Sequence, residues 1–365
     1  MGVRWIAFHV TDACQLNCKH CLRDPELKAH HIELGLVRRM LDQAAGVYGI
    51  RHVALTGGEP SLHPEFDEIL DAIVERGMTW HCVTNAVRFD KRLLKMLEAD
   101  PRRREALSAL DFSLDGATEA VHDRIRGEGS FRDVMRAVAL SKMRDIPFVL
   151  QMTLNALNVH ELEAFAIMAA ELGAERASYN FLQPTGTYLD AEMYLSHDAW
   201  RRVQDRIERV AAILTIPIVG SEGFAQPQHF HECEPWKSEV IHVDYKGLMN
   251  LCCLHAGVPG HTKHGRSDAI ADMNHESLIE GHVKMLDLVQ HARLAKLEAM
   301  AKGTLDDRWD KYPCNWCMEH FGKPFWTDEG AAGEPAKRER WRGAWAPENH
   351  EGTSVPVSRR LAILP

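Results

Sequence analysis

The sequence lacks a secretion signal and a membrane-spanning segment. Residues 1–4 do not form a basic region that leads into an apolar run. No stretch reaches the roughly 18 consecutive apolar residues that a membrane span requires. We therefore expect a cytoplasmic protein that makes no membrane contact.

An excess of basic residues is also missing. The chain has 43 Lys and Arg against 52 Asp and Glu, which gives a formal net charge of -9 at pH 7. A chain with this charge has no general attraction to nucleic acids or anionic lipids. We therefore expect no nucleic-acid partner.

The chain is also not a short secreted protein of the kind that disulfide bonds stabilise, although it has nine cysteines. Disulfide frameworks belong to short secreted chains, whereas these 365 residues predict about two domains. Cytosolic thiols stay reduced, and clustered ones bind metal more often than they pair. The cysteines are Cys14, Cys18, Cys21, Cys82, Cys233, Cys252, Cys253, Cys314 and Cys317.

Short apolar segments alternate with helical periodicity over the first 215 residues. The predicted strands are RWIAFHV, HVALTGG, TWHCVTN, LSALDFSLDG, PFVLQMTLN and RASYNFLQP, and the predicted helices cover 33–48, 64–76, 90–98, a long stretch up to 143, 160–172 and 197–214. This alternation predicts an α/β fold, a parallel sheet with helices outside it. Ligands of such folds bind at the carboxyl ends of the strands.

Beyond residue 215 the alternation weakens. The segment GSEGFAQPQHFHECEP predicts a loop because it is rich in Gly, Pro and His. The segment EVIHVDYKGLMNLCC predicts a β-hairpin with Lys246 and Gly247 near its turn. A helix is predicted over 277–300.

The stretch CQLNCKHC gathers three thiols within eight residues after the first predicted strand. A structural zinc ion normally takes four ligands, and His9 or His20 could supply the fourth. Cysteine thiolates are also the usual ligands of iron–sulfur clusters. Three thiolates on a [4Fe–4S] cube leave one iron open to a substrate or cofactor. The spacing favours the cube but does not exclude zinc.

The same stretch resembles the CxxxCxxC signature of the radical S-adenosylmethionine (SAM) superfamily. The segment GGEP at 57–60 resembles the motif that binds the methionine amine in that family. The segments SLDG and HDRIRGEGSF resemble SAM-binding segments of its peptide-maturing and sulfatase-maturing branches. The resemblance covers about residues 4–215 and implies a partial (β/α)6 TIM-type barrel.

The resemblance also implies a chemistry. SAM would chelate the open iron of a [4Fe–4S] cluster held by Cys14, Cys18 and Cys21. The reduced cluster would cleave SAM to methionine and a 5′-deoxyadenosyl radical, which removes a hydrogen atom from the substrate. An electron donor such as flavodoxin or ferredoxin would be a partner.

Contacts with SAM are implied for residues at the strand ends. Glu59 would face the SAM ammonium, and Ser113 and Arg126 its carboxylate, since a guanidinium pairs well with one. Asp115 could reach the ribose. The full set is Gly57, Gly58, Glu59, Pro60, Asn85, Ser113, Asp115 and Arg126.

One position departs from the family. An aromatic residue usually lies beside the third cysteine, near the adenine, whereas here His20 and Leu22 flank Cys21. We expect the imidazole of His20 to stack in its place.

The later cysteines follow a second pattern. Cys233, thirteen residues, Gly247, four residues and Cys252 resemble the opening of SPASM and twitch domains. With Cys314 and Cys317 these thiols are implied to hold an auxiliary [4Fe–4S] cluster. No cysteine follows Cys317, as in the shorter twitch variant. A zinc site with four cysteine ligands is the alternative.

Two cysteines remain outside both sets. Cys253 is either a spare ligand or, more commonly, a small buried residue. Cys82 alternates with apolar neighbours and is predicted to lie in the core. His229, His231, His242 and His255 are expected to be polar loop residues or core residues with satisfied hydrogen bonds.

These patterns divide the chain into three parts. Residues 1–215 are expected to form the radical SAM barrel, and residues 216–322 a SPASM/twitch-like domain with a β-hairpin and a helix. Residues 323–365 are expected to be a polar C-terminal extension.

The reaction expected first is a net oxidation assisted by the auxiliary cluster, on a small molecule such as an aminocyclitol or sugar. The alternative is maturation of a ribosomally made peptide by crosslinking or thioether formation. Cys14 leaves no room for an N-terminal leader-binding domain, which we take to favour the small molecule. A non-catalytic metal-binding protein is a third class, against which GGEP argues. No catalytic side chain is assigned.

Overall fold

A computed structural model describes residues 2–21, 29–182, 193, 195, 197–225, 232–253, 269–306 and 310–321. The expected C-terminal extension, and also Leu22, His229, His231 and His255, lie outside these residues. The strands are β1 Trp5–Thr11, β2 His52–Gly57, β3 Thr79–Thr84, β4 Leu107–Ser113, β5 Phe148–Leu154, β6 Ala177–Phe181, β7 Ile218–Gly220, β8 Val240–Val243, β9 Leu248–Asn250 and β10 Ala271–Asp272.

Helices alternate with the strands. They are α1 Leu34–Tyr48, α2 Phe66–Glu75, α3 Leu93–Ala99, α4 Pro101–Glu105, α5 Glu119–Arg126, α6 Ser130–Lys142, α7 Leu162–Leu172, α8 His197–Ile213, α9 Glu222–Ala225, α10 Leu278–Ala301 and α11 Pro313–His320. Among the helices of the described ranges, none combines the length and the apolar character that a membrane crossing needs.

The strands form one ten-stranded sheet in the order β10-β9-β8-β1-β2-β3-β4-β5-β6-β7. Neighbours from β1 to β7 are parallel, as expected for strands joined through helices. The predicted α/β architecture of a partial TIM-type barrel is thereby confirmed.

The predicted β-hairpin extends the sheet beyond β1. Strand β8 pairs in parallel with β1 and antiparallel with β9. Gly247 lies in the turn with φ 78°, a backbone conformation that glycine adopts without strain.

Residues along β1 alternate between two environments. Ile6, Phe8 and Val10 belong to the large core that also contains apolar residues of the helices. Ala7 instead packs with Ala54 and Val240 in a small separate cluster. Because side chains alternate along a strand, one face of β1 looks outward to the helices and the other inward.

The prediction of one long helix up to residue 143 is wrong. The chain forms α5 and α6, separated by Gly127 with φ 120° and Gly129 with φ 80°. The carboxylate of Asp123 accepts hydrogen bonds from the amides of Gly129 (2.7 Å) and Phe131 (2.9 Å). Two glycines and an acidic side chain thus end one helix and start the next.

Two further elements differ from the predictions. The sequence analysis did not predict β7, which pairs with β6 through the register Ala177↔Ile218. The segment predicted as a loop after residue 219 contains the short helix α9. Three- and four-residue elements give too little periodicity to be predicted.

Helix α10 confirms its prediction and has a full N-terminal cap. Ser277 accepts a hydrogen bond from the Glu280 amide, and the Glu280 carboxylate accepts one from the Ser277 amide. Its buried face carries one basic residue, Lys296, on an otherwise apolar or small-residue surface.

The end of β2 is pressed against the loop that follows β1. A Cβ atom on Gly57 would lie 2.2 Å from the Thr11 carbonyl oxygen, and one on Gly58 would lie 2.3 Å from that of Ala13. Instead, the amide of Gly58 donates to Thr11 (2.7 Å) and that of Glu59 to Ala13 (2.7 Å). Only glycine allows this contact between the two backbones.

We therefore predict that Gly58→Ala destabilises the protein by about 1–3 kcal/mol, because the backbone must move to admit the methyl group. The matched control is Gly46→Ala in α1, where nothing lies within 4 Å of the added Cβ. That substitution should stabilise by about 0.5–1 kcal/mol through helix propensity. Urea unfolding measures both, and equal stability of the two variants would contradict the close approach.

Candidate active site

The first three thiols lie on the loop that continues β1. Cys14, Cys18 and Cys21 are all partly buried. The amide of Cys21 donates to the Cys18 carbonyl (3.0 Å), so the last two cysteines share a turn. The thiol of Cys18 lies 3.9 Å from the Arg126 carbonyl oxygen. The loop is therefore held between the end of β2 and the end of α5.

These thiols influence one another electrostatically. Burial raises the pKa of Cys18 to about 12, with smaller contributions from Cys21 and Cys14, while Arg126 opposes the shift. A cationic iron–sulfur core would relieve both the burial and the mutual repulsion of thiolates. The donor set therefore fits the cluster that the sequence implies.

Asn85 reaches the same loop from the end of β3. Its Nδ2 lies 3.4 Å from the sulfur of Cys14, and its Oδ1 accepts from Gln15 (2.8 Å) and from the amide of Val87 (3.0 Å). Asn85 thus positions the first thiol. The distance between Asn85 and Cys14 in the sequence did not reveal this contact.

Glu59 is held in place by hydrogen bonds from the ends of two strands. Its carboxylate is 1% exposed and accepts hydrogen bonds from Ser61, from the Thr84 hydroxyl (2.9 Å) and from the Asn85 amide (2.9 Å). Burial raises the pKa of Glu59, and these hydrogen bonds only partly offset it. The carboxylate joins the ends of β2 and β3 behind the site rather than facing a ligand.

Asp115 is also buried behind the site. Its carboxylate pairs with the Arg126 guanidinium, lies 3.5 Å from His20 Nε2 and accepts the Thr153 amide (2.7 Å). Burial alone would raise the pKa of Asp115, but the charge of Arg126 and these other partners lower it overall. Asp115 therefore orients Arg126, and its expected contact with ribose stays a prediction.

His20 packs on the other side of that carboxylate. Burial lowers its pKa to about 4, so the ring is neutral at pH 7. Its Nδ1 is buried without a hydrogen-bond partner among the described residues. The ring lines the cavity described next, where an aromatic residue was expected.

One cavity of about 580 Å³ joins these groups. Of the expected SAM contacts, those that line it are Gly57, Gly58, Asn85, Ser113 and Arg126. Those that lie outside its lining are Glu59, Pro60 and Asp115. A cavity of this size is typical of a small-molecule or cofactor site.

The second set of thiols opens onto the same cavity. The members of the two sets that line it are Cys14, Cys18, Cys21, Cys233, Cys252 and Cys314, and Cys253, which belongs to neither set, lines it as well. Because the two sets are more than two hundred residues apart in sequence, this meeting could not be read from the spacing.

The four expected auxiliary thiols are close enough to perturb one another. Burial raises the pKa of Cys233 to about 11 and that of Cys317 to about 12. It raises those of Cys252 and Cys314 further, and neighbouring thiols add to both shifts. A bound cation would stabilise these buried thiols as thiolates. Four cysteine ligands suit an iron–sulfur cluster and a zinc ion equally well.

Two features of this region were missed by the sequence analysis. A Cβ on Gly223 of α9 would lie 2.2 Å from the Cys314 sulfur, so this glycine makes room for the thiol. Lys296 lies over the Trp316 ring at 5.4 Å, and burial lowers its pKa although Cys317 and Cys233 oppose the shift. A lysine on the apolar face of α10 was the signal available in the sequence.

Three remaining predictions can be compared with the structure. Cys82 is buried in the core, as predicted. Cys253 is exposed, so its expected burial is wrong. His242 lies on β8, lines the cavity and leaves Nδ1 without a partner among the described residues, so it is neither a loop residue nor satisfied.

Comparison with known proteins gives a family and several relatives. Residues 8–169 match the model of the radical SAM superfamily. An AdoMet-dependent heme synthase of Methanosarcina barkeri is 30% identical over 50% of this chain and 52% of its own. A PqqA peptide cyclase of Ruegeria pomeroyi is 32% identical over 46% and 44%. The chain spans about half the length of these curated relatives.

Solved structures share the fold. SuiB of Streptococcus suis bound to precursor peptide SuiA has a TM-score of 0.62 at 14% identity, covering 76% of this chain and 64% of that one. Native anSMEcpe with bound AdoMet has a TM-score of 0.62 at 11% identity, covering 94% and 97%. Residues 8–169 of the chain are therefore a radical SAM domain, and members of that superfamily bind a [4Fe–4S] cluster and SAM.

Proposed function

We propose that this chain is a radical SAM enzyme that modifies a peptide, using two iron–sulfur sites that open onto one cavity. The observation that carries the proposal is the lining of that cavity by thiols of both sets. With a reduced [4Fe–4S] cluster and SAM bound, the first site supplies a 5′-deoxyadenosyl radical that removes a hydrogen atom from the substrate.

The peptide substrate is supported by the relatives. One curated relative is a PqqA peptide cyclase, another is a mycofactocin maturase of Mycobacterium tuberculosis (30% identical over 54% of this chain), and SuiB is bound to a precursor peptide. These names favour the peptide over the aminocyclitol or sugar that the sequence analysis placed first. Oxidation of a small molecule is the second candidate, favoured by the heme synthase relative.

Four residues would organise the first site. Cys14, Cys18 and Cys21 hold the cluster, and Asn85 fixes Cys14 through its amide nitrogen. Partial burial of these thiols limits the access of water, which would help to keep a reactive radical from being quenched by solvent.

Arg126 would bind the SAM carboxylate. Asp115 holds its Nε, which leaves the rest of the guanidinium directed along the cavity wall. A guanidinium held in this way pairs with a carboxylate at little entropic cost. Ser113, at the end of β4, lines the same wall and can donate its hydroxyl to the same carboxylate.

The second thiol set would hold an auxiliary cluster within residues 216–322. Cys233, Cys252, Cys314 and Cys317 are its ligands, and four thiolates leave no iron open for SAM. Lys296 places a positive charge beside Cys317 and Cys233, which lowers the cost of burying thiolates there. Electron transfer from the substrate to this site would make the overall reaction an oxidation.

Arg126→Lys should weaken SAM binding by about 1.5 kcal/mol, about tenfold in Kd, because one charge-assisted hydrogen bond is lost. The lysine keeps a positive charge beside Asp115, so the fold and the visible spectrum of the cluster should be retained. The matched control is Arg124→Lys, which changes an exposed arginine of the same helix. Equilibrium dialysis with labelled SAM measures both, and equal affinities would remove Arg126 from the site.

The test of the proposed function is anaerobic reconstitution of the chain with iron, sulfide, SAM and dithionite, in the presence of a ribosomal-type peptide library. We expect 5′-deoxyadenosine together with peptides that have lost two hydrogen atoms, detected by mass spectrometry. Replacing Cys14, Cys18 and Cys21 by Ala should remove about four irons per chain and stop both products.

Continued formation of 5′-deoxyadenosine by this triple variant would contradict the assignment of the first site. Turnover of an aminocyclitol or sugar with no modified peptide would instead support the second candidate. Far-UV circular dichroism must first show that the variant is folded, because metal binding contributes to folding.

A further inference from the structure

Two imidazoles lie side by side on the inward face of the sheet. His9 is on β1, two residues after Ala7, and Ala7 pairs in register with His242 of β8. Since residues two apart share a face, His9 and His242 face the interior together. Their ring centroids are 6.2 Å apart at 61°. We call these two side chains the imidazole pair.

The imidazole pair lines the cavity and has unsatisfied nitrogen atoms. Nε2 of His9 and Nδ1 of His242 are buried without a hydrogen-bond partner among the described residues. Buried polar side chains in native proteins nearly always have a partner, because leaving one unmatched is costly. Two such nitrogen atoms, on adjacent strands and in one cavity, point to a ligand that supplies the missing hydrogen-bond partners.

Neither ring carries a charge at neutral pH. Burial lowers the pKa of His9 to about 4. Burial and the proximity of His9 lower the pKa of His242 to about 3. A neutral imidazole has one N–H donor and one acceptor nitrogen, so each ring can both donate and accept.

The sheet neighbours of the pair are neutral or already hydrogen-bonded, and they include the hydroxyl of Thr56, which pairs in register with His9 on β2. Trp5 lies edge-on to His242 at 6.0 Å, and Val240 is the preceding inward residue on β8. Asp244, the next inward residue, accepts the amides of Lys246 and Leu248 within the hairpin. No side chain of this group offers a free charge, so a charged ligand would be buried there unpaired.

We propose that His9 and His242 form a recognition subsite for a neutral hydrogen-bonding group of the substrate, a hydroxyl or a carboxamide at the end of an apolar side chain. The identity of the substrate as a peptide rests on the proposed function. The subsite selects a side chain by excluding carboxylates and ammonium groups, and it holds that side chain in the cavity lined by both thiol sets.

The test uses the full chain with its iron reconstituted, ¹⁵N-labelled at histidine, without SAM. The probes are N-acetyl-tyrosinamide, N-acetyl-glutaminamide and the α-amide of N-acetyl-glutamate, titrated at pH 7.5. We expect the two neutral probes to shift the imidazole nitrogens of His9 and His242, which are assigned from the spectra of variants. They should bind at least tenfold more tightly than the carboxylate probe.

His9→Phe and His242→Phe keep the ring volume and remove the hydrogen bonds. Each should weaken the neutral probes about five- to tenfold, the loss expected for one neutral hydrogen bond. His9→Gln, which can still donate and accept, should recover part of the affinity. The matched control is His291→Phe, which replaces an exposed histidine of α10. This variant should bind the neutral probes as tightly as the unchanged protein does.

Equal binding of the carboxylate and neutral probes, or absence of binding by all three, would overturn the proposal. So would unchanged affinity in both Phe variants. These titrations require no turnover, so they test the subsite independently of the proposed function. A protein that binds the neutral probes through this pair but modifies no peptide keeps the subsite and loses the peptide-maturing function.

Discussion

The site depends on the direct contact between two backbone segments, the end of β2 and the loop after β1. Gly58 and Glu59 donate their amides to Thr11 and Ala13 across a gap that no Cβ atom can enter. The carboxylate of Glu59 then extends the contact to β3 through Thr84 and Asn85. The cysteine loop is therefore fixed to three strand ends before any ligand is considered.

Buried charge organises the opposite wall. Asp115 is fully buried and the Arg126 side chain is 10% exposed, so either one alone would leave a poorly compensated charge in a low-dielectric interior. Such pairs add little to net stability but fix the orientation of their members strongly. The pair thus holds a guanidinium in the lining of the cavity, while the apolar core under the helices supplies the stability.

Local patterns made much of this predictable. The alternation of apolar strands and helices gave the parallel sheet, and Gly247 gave the hairpin turn. The cysteine spacings predicted two sets of thiols, and the structure adds Cys253 as a neighbour of the second set. The break between α5 and α6 was missed because Gly127 and Gly129 were outweighed by helical periodicity on both sides. The protein partners of Glu59 and Asp115 were not predicted, since a motif shows which residues matter but not which way they face, and the expected SAM contacts of both residues stay predictions.

The sequence could not predict the contacts between segments that are far apart along the chain. Cys314 reaches the cavity through its packing against Gly223, and His242 becomes a neighbour of His9 only because β8 pairs with β1. The first contact depends on the packing of α11 against α9 and the second on sheet order and register, and short-range periodicity determines neither. The fold thus brings the two sets of cysteines, which are far apart in sequence, to one cavity.

Replacing Cys233, Cys252, Cys314 and Cys317 by Ala tests the central claim most directly, with Mössbauer spectra, 5′-deoxyadenosine and modified peptide measured on one folded sample. The account predicts that about four irons per chain remain. SAM cleavage should continue, and the modified peptide should no longer form. A folded variant that keeps all its iron, or one that forms the modified peptide at the unchanged rate, would contradict two iron–sulfur sites acting on one substrate.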